Sequence, residues 1–445
     1  MKLMLAAASA VALVSATGPA AFAQVATPAT PRVGVPLTSP PPEPFAPAPT
    51  PSPGPAEAIP RDGTMPANLT LPQALVEAEA SSPVIQAALA RASAAQARVR
   101  QAGFRVNPEL SVEVENFAGT GDYSGARGVE TTVAVNQRLD VGGRRRARVS
   151  VARAELAAEE LRLAIARADL GQQVREQFAR AITARDRLRI GEDNAARASE
   201  LARIAGQLVD AGREPPLRAI RARSAAAQAQ AELEASRADE AASRRTLGAL
   251  FGSTTPPDSV TGSLIDLEGR PIDPEQSLDV RLADLELAVA EAEVGQQVAQ
   301  RRLDPAVGVG VRQFRGSGDM ALVAGVSMPI PVFDRNQGNI AAARANVTSF
   351  QARRANTLAT ITVRARNAIA AVEAAQARVR ALEGAAVPEA FEALRLAQLS
   401  YREGRTALIE LLDAQNAYRS AELALIDARL ALALATAELG RVAAQ

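Results

Sequence analysis

Asn107-Pro108-Glu109-Leu110-Ser111-Val112-Glu113-Val114-Glu115-Asn116 changes the period of the chain from helical to two, with Val112 and Val114 on one face and Ser111, Glu113 and Glu115 on the other. That alternation marks a strand with one apolar side. A second alternating run, residues 129–136, sets Val129, Thr131, Val133 and Val135 against Glu130, Thr132, Ala134 and Asn136. Gly119-Thr120-Gly121-Asp122 lies between the two runs, so the stretch reads as a β-hairpin. The pattern returns 197 residues later: Asp304-Pro305-Ala306 opens a run with Val307, Val309 and Val311, and Gly316-Ser317-Gly318-Asp319 repeats the loop. Residues 321–330 supply the return strand, although Gly308, Gly310 and Gly325 dilute this second hairpin.

The repetition extends outward on both sides. Beyond the loops the offset falls to 192, aligning Val141-Gly142-Gly143-Arg144 with Phe333-Asp334-Arg335-Asn336, Gly212-Arg213 with Gly404-Arg405, and Leu247-Gly248 with Leu439-Gly440. Two halves that hold one offset over such a distance are structural repeats. Each reads helix, strand, turn, strand, very long helix, turn, helix. Residues 70–104 are predicted helical from their Ala and Leu content. Proline is absent from Gly143 to Asp210, and Pro388 alone interrupts Arg335 to Tyr401, where it should kink the helix. Each such segment would form a helix on the order of 100 Å long.

The expected division is a signal peptide over 1–23, a Pro-rich leader over 24–67, repeat 1 over 68–251, a linker over 252–277 and repeat 2 over 278–445. The hairpins are expected at 109–140 and 305–331. Lys2, the apolar run Leu3 to Ala16 and the small-residue site Ala21-Phe22-Ala23 carry the export signal. Fourteen of the 28 prolines fall between Pro28 and Pro66, which makes that stretch an extended spacer rather than a packed element.

Composition removes most chemistry. The 445 residues include no Cys, no His and no Trp, so thiol nucleophiles, imidazole bases and zinc-finger ligation have no residue to use. No catalytic, cofactor-binding or metal-binding residue is expected. Aromatic residues make up 3% of the chain against 47% hydrophobic, a composition suited to long Ala- and Leu-rich helices. Lys2 is the only lysine, and cleavage after residue 23 would leave 49 Arg against 49 acids. That balance argues against nucleic acid as a partner. The Gly-rich loops join strands and do not precede helices, so they are hairpin tips and not phosphate cradles. Glu113/Glu115 and Glu159/Glu160 read as solvated or lumen-facing groups rather than a glycosidase pair.

Four strands cannot close a barrel, which needs about eight. A four-stranded sheet in lipid would also leave unsatisfied edges. Three protomers would supply twelve strands, with their helices continuing as a tube. The strand Asn107 to Asn116, the run Gln137 to Arg146 leading into the long helix, its counterpart Pro331 to Gly338, and Tyr401 to Gln415 resemble the TolC outer membrane factor family over about residues 68–443. The branch it is most similar to serves heavy-metal, cobalt-zinc-cadmium, efflux.

That resemblance implies a mainly α fold with a small β part. A trimeric α-helical tube lies in the periplasm, and four strands per protomer contribute to a twelve-stranded outer-membrane β-barrel. It implies a homotrimer in outer-membrane lipid that passively conducts cargo, heavy-metal cations by its branch, for an inner-membrane RND-type pump and a periplasmic adaptor. Multidrug efflux or type I protein secretion is the alternative within the class. A periplasmic coiled-coil scaffold is the competitor from another class, and it leaves the two hairpins unexplained.

Gly212 and Gly404 each follow a long helix, where glycine commonly takes the left-handed capping position. Six and nine residues beyond them stand Arg218 and Arg221 in the first turn, and Glu410 and Asp413 in the second. The resemblance makes the second turn the periplasmic tip, with Tyr401, Glu410 and Asp413 closing the aperture. Thr406 stands where the family carries an arginine, and the opposite charges of the two tips are expected to replace it.

Overall fold

A computed structural model describes residues 68–262, 272–403 and 405–444. The expected signal peptide, the Pro-rich leader, part of the linker and Gly404 lie outside the described residues.

A two-residue strand, β1 (Asn68–Leu69), leads into α1 (Leu71–Ser81) and α2 (Pro83–Gly103). At the start of α1 the Thr70 N–H is donated to Gln73 Oε1 at 3.1 Å, satisfying a helix-end donor. Composition predicts one helix over 70–104, whereas the structure has two. The residue before a proline is pushed out of the helical region, and Ser82 accordingly takes φ −62° and ψ 126° ahead of Pro83.

The hairpin strands are β2 (Glu109–Glu115) and β3 (Glu130–Arg138), followed by α3 (Arg144–Asp210) and α4 (Pro216–Ala249). At 67 residues, α3 spans about 100 Å. A second two-residue strand, β4 (Ser259–Val260), pairs in parallel with β1. Repeat 2 then supplies α5 (Leu278–Gln300), β5 (Ala306–Phe314), β6 (Met320–Ser327), α6 (Gln337–Ala381), α7 (Val387–Arg402) and α8 (Leu408–Val442).

Between α6 and α7 the five residues Leu382–Ala386 form a π-helical turn. Pro388 explains it: proline donates no bond to the carbonyl four residues back, and its ring crowds that carbonyl. A wider turn of i to i+5 bonds absorbs the defect without ending the helix.

Four strands form one antiparallel sheet in the order β2-β3-β5-β6. The two hairpins therefore join through β3 and β5, and β2 and β6 are left as open edges. Register separates the faces cleanly. Val112 lies opposite Val133, Val133 opposite Val311, and Val311 opposite Leu322. The other face carries Glu109, Glu113, Glu115, Glu130, Thr132 and Arg312 at the intervening positions. The glycines of β5 belong to this second face: a Cβ at Gly310 would lie 2.5 Å from the Val133 carbonyl oxygen, so the close approach of the strands requires glycine there.

The helices pack lengthwise. α3 runs against α2, α4, α5 and α8, and α6 runs against α5 and α8. The main core sits midway along the body, where Val174 and Phe178 of α3 pack with Ile85, Leu247 and Phe251 and with Leu69 and Val260 of the small strand pair. Elsewhere buried positions are largely Ala, such as Ala219, Ala222 and Ala229 on α4. Small residues at that spacing let long helices approach closely. Among the described residues no helix is long and apolar enough to cross a membrane.

Candidate functional site

The two helical turns at the end of the body are built alike. After α3, Gly212 takes φ +67°, and the Arg213 N–H is donated to the Leu208 carbonyl at 2.9 Å. This 6→1 bond closes the helix end as a left-handed cap does. After α7, the Arg405 N–H is donated to the Ser400 carbonyl at 2.8 Å, the same bond displaced by 192 residues. Gly404 itself lies outside the described residues.

The turns also meet. Leu201 of α3 is buried with Leu394 of α7 and with Leu408 and Leu411 of α8, and Tyr401 packs against this cluster. The Tyr401 hydroxyl is raised above its ordinary value, first by burial and then by the Glu214 carboxylate, with Arg218 opposing. Tyr401 of the second tip thus stands in the field of two charged residues of the first.

The expected charges are distributed unevenly. Arg218 is paired with Glu214, one turn before it. Arg221, Glu410 and Asp413 are exposed, and among the described residues none of the three has an ion pair within the protomer. Glu214 was not singled out from sequence, yet a signal existed. It occupies the repeat position of Thr406, so it supplies a tip charge where the second repeat has a hydroxyl.

Two further ionic clusters hold the body in shape. Arg441 of α8, 5% exposed in its side chain, bonds Asp279 of α5 at 2.9 Å and also Asp169 of α3. Burial works against its charge, but the two aspartates outweigh that and raise its pKa. Nearby, Arg364 of α6 donates to Glu438 at 2.5 Å, and Gln172 of α3 donates to the same carboxylate at 2.8 Å. Residues from both repeats meet in each cluster.

At the other end, the starts of α3 and α6 are tied to the end of α5. Arg144 bonds Asp304 at 2.8 Å and the carbonyls of Gln300 and Arg302 at 2.9 and 2.7 Å. Asn336, its repeat counterpart, takes φ +58° and bonds the Gln297 carbonyl at 2.8 Å. On the polar face of the sheet Arg312 reaches Glu115 at 2.9 Å, Glu130 at 3.1 Å and Thr132 at 2.9 Å. Among the described residues no group of three or more acids could hold a metal ion.

An amphipathic sheet with two open edges, set on a helical body too long for a compact domain, defines one stave of a channel that is part β-barrel and part helical tube. The chain belongs to the outer membrane efflux protein family, whose sequence profile matches residues 74–253 and 274–445. It is accordingly an outer-membrane efflux channel component. It is 28% identical over 363 residues to the cobalt-zinc-cadmium resistance protein CzcC of Cupriavidus metallidurans, covering 80% of this chain and 85% of that one. To the nickel and cobalt resistance protein CnrC of the same organism it is 33% identical over 288 residues, covering 63% and 68%. The outer membrane protein VceC of Vibrio cholerae shares the fold with a TM-score of 0.71 at 24% identity, covering 84% of this chain and 96% of that one.

Proposed function

We propose that three copies of this chain form a passive conduit that carries heavy-metal cations out of the cell for an inner-membrane RND-type pump and its periplasmic adaptor. The open edges of β2 and β6 carry this reading: in lipid each needs a strand partner, and three four-stranded sheets give a closed barrel of twelve. Exposed Leu217 and Ile220 on α4, and Leu396, Leu399 and Ile409 beside the second tip, supply apolar surface for neighbouring protomers or the adaptor. The apolar sheet face then meets lipid, and the face with Glu109, Glu113, Glu115 and Glu130 lines the lumen.

An acid-lined lumen favours cations by its field alone, without tight ligation that would retain them. The metal-resistance relatives favour the same cargo. No catalytic step is assigned, because conduction needs none. Deleting the gene should sensitise the host to zinc, cobalt or cadmium while leaving drug tolerance unchanged. Sensitivity to drugs alone defeats the metal assignment. A mature chain that is monomeric and soluble without detergent defeats the channel itself in favour of a scaffold.

A further inference from the structure

The junction between sheet and helices has a surface that conduction does not use. In the segments 104–108, 138–148, 301–305 and 328–336 nine arginines stand against three aspartates, in a chain whose whole net charge is +1. The aspartates are already engaged: Asp304 by Arg144, Asp140 by Arg148, and Asp334 by the Asn336 N–H. Arg301 and Arg335 are exposed and line one cleft with Arg302, Ile330, Val332 and Phe333. Among the described residues neither Arg301 nor Arg335 makes a side-chain hydrogen bond or ion pair.

The same cleft borders exposed apolar surface. Phe333 is 92% exposed, an extreme value for a phenylalanine in a folded chain. Ile330 in the same cleft is exposed, as are Val106, Leu139, Val141, Leu303 and Met328 in the junction segments. By alternation Val106, Leu139, Leu303, Met328 and Ile330 continue the apolar face of β2, β3, β5 and β6 past the strand ends. A hydrophobic band that runs into a collar of arginines has the composition of a lipid–water boundary on its anionic side.

We propose that this junction is a binding site for anionic phospholipid of the inner leaflet. Arg301 and Arg335 receive the headgroup phosphate, and the acyl chains lie against Phe333 and the continuing apolar face. Guanidinium forks match phosphate oxygens in geometry as well as charge. A zwitterionic headgroup offers the same phosphate but places an ammonium beside it, which the surplus of arginines disfavours. The site rests on the outer-membrane placement of the sheet and fixes the depth of the body in the leaflet.

The test is lipid competition on the complete mature assembly purified in detergent, read by native mass spectrometry. Offered equal amounts of dioleoyl phosphatidylglycerol and dioleoyl phosphatidylethanolamine, the wild type should retain the anionic lipid by a factor of about five or more. Molar salt should bring the ratio towards one. Arg301→Gln with Arg335→Gln should do the same, while Arg366→Gln with Arg378→Gln, on the exposed side of α6, should leave it unchanged. Equal retention of the two lipids by the wild type overturns the proposal without touching the channel reading, which fractionation and conductance measure separately. So does a preference that survives the Arg301 and Arg335 substitutions, or one erased by millimolar inorganic phosphate, which would mark a free-anion site. The wild-type comparison needs no variant, so a variant that fails to assemble does not shelter the proposal.

Discussion

Arg218 is held by Glu214, four residues earlier on the same tip, and by neither acid of the other tip. That pairing spends one of the two expected tip cations inside the protomer and leaves Arg221, Glu410 and Asp413 exposed at the end of the body. If the tip charges close the channel, they do so between protomers.

Reversing Glu410 and Asp413 to arginine should therefore raise the resting conductance of the channel in planar bilayers while leaving folding and assembly unchanged, because both positions are solvated. Each exposed pair contributes under about 1 kcal/mol, so the gate depends on several pairs around the assembly. Adding Arg218→Glu and Arg221→Glu should restore closure. Wild-type conductance from the Glu410 and Asp413 variant at low salt, where screening is weakest, would remove the ionic gate.

Arg441 joins α8 to α3 and α5 through Asp169 and Asp279. Arg441→Met keeps an unbranched apolar stem and removes the guanidinium, leaving two acids without their shared partner between the helices. Both aspartates are partly solvated, 47% and 27% exposed, so the cost should fall below that of a sealed ion pair, at about 2 kcal/mol. Thermal unfolding followed by far-ultraviolet circular dichroism should show the loss. Adding Asp279→Asn should recover part of it, because the repulsion goes with the charge.

Glu438 gives the body an acid limit. The Arg364 hydrogen bond holds its carboxyl below the ordinary 4.5, with burial opposing. A carboxyl depressed in the folded state stabilises above its ordinary value and surrenders that contribution as pH falls through the folded one. Stability should thus be level above about pH 5 and decline below about 4.5. Glu438→Gln should lower stability on the plateau and flatten the acid decline, seen as melting temperature against pH. A variant with the full wild-type slope would assign the acid limit to other carboxylates.

Sequence alone determined the class of this protein. Alternation at Val112, Val114, Val133 and Val135 records which side of a strand meets an apolar medium, and the repeat at offsets of 197 and 192 records that one helix–hairpin unit was used twice. Both are local or periodic signals, written into every residue of an element. The break at Ser82 was equally local, since Pro83 dictates it, but helical composition on both sides concealed it. At Pro388 composition predicted a kink, and the structure places a π-helical turn, Leu382–Ala386, just before it.

What only the tertiary structure decided is which charges meet. Arg441 lies 272 residues from Asp169, and Arg312 lies 182 residues from Glu130. Nothing in the neighbourhood of either arginine announces its partner, because ion pairing depends on which helices and strands are packed side by side. Arg218 shows the converse: its partner Glu214 stands only four residues away, yet the sequence left Arg218 a choice between that local acid and the acids of the other tip, and the packed arrangement made it. Charge on a helix surface has many possible partners within reach of a long side chain, and only the packed arrangement selects among them.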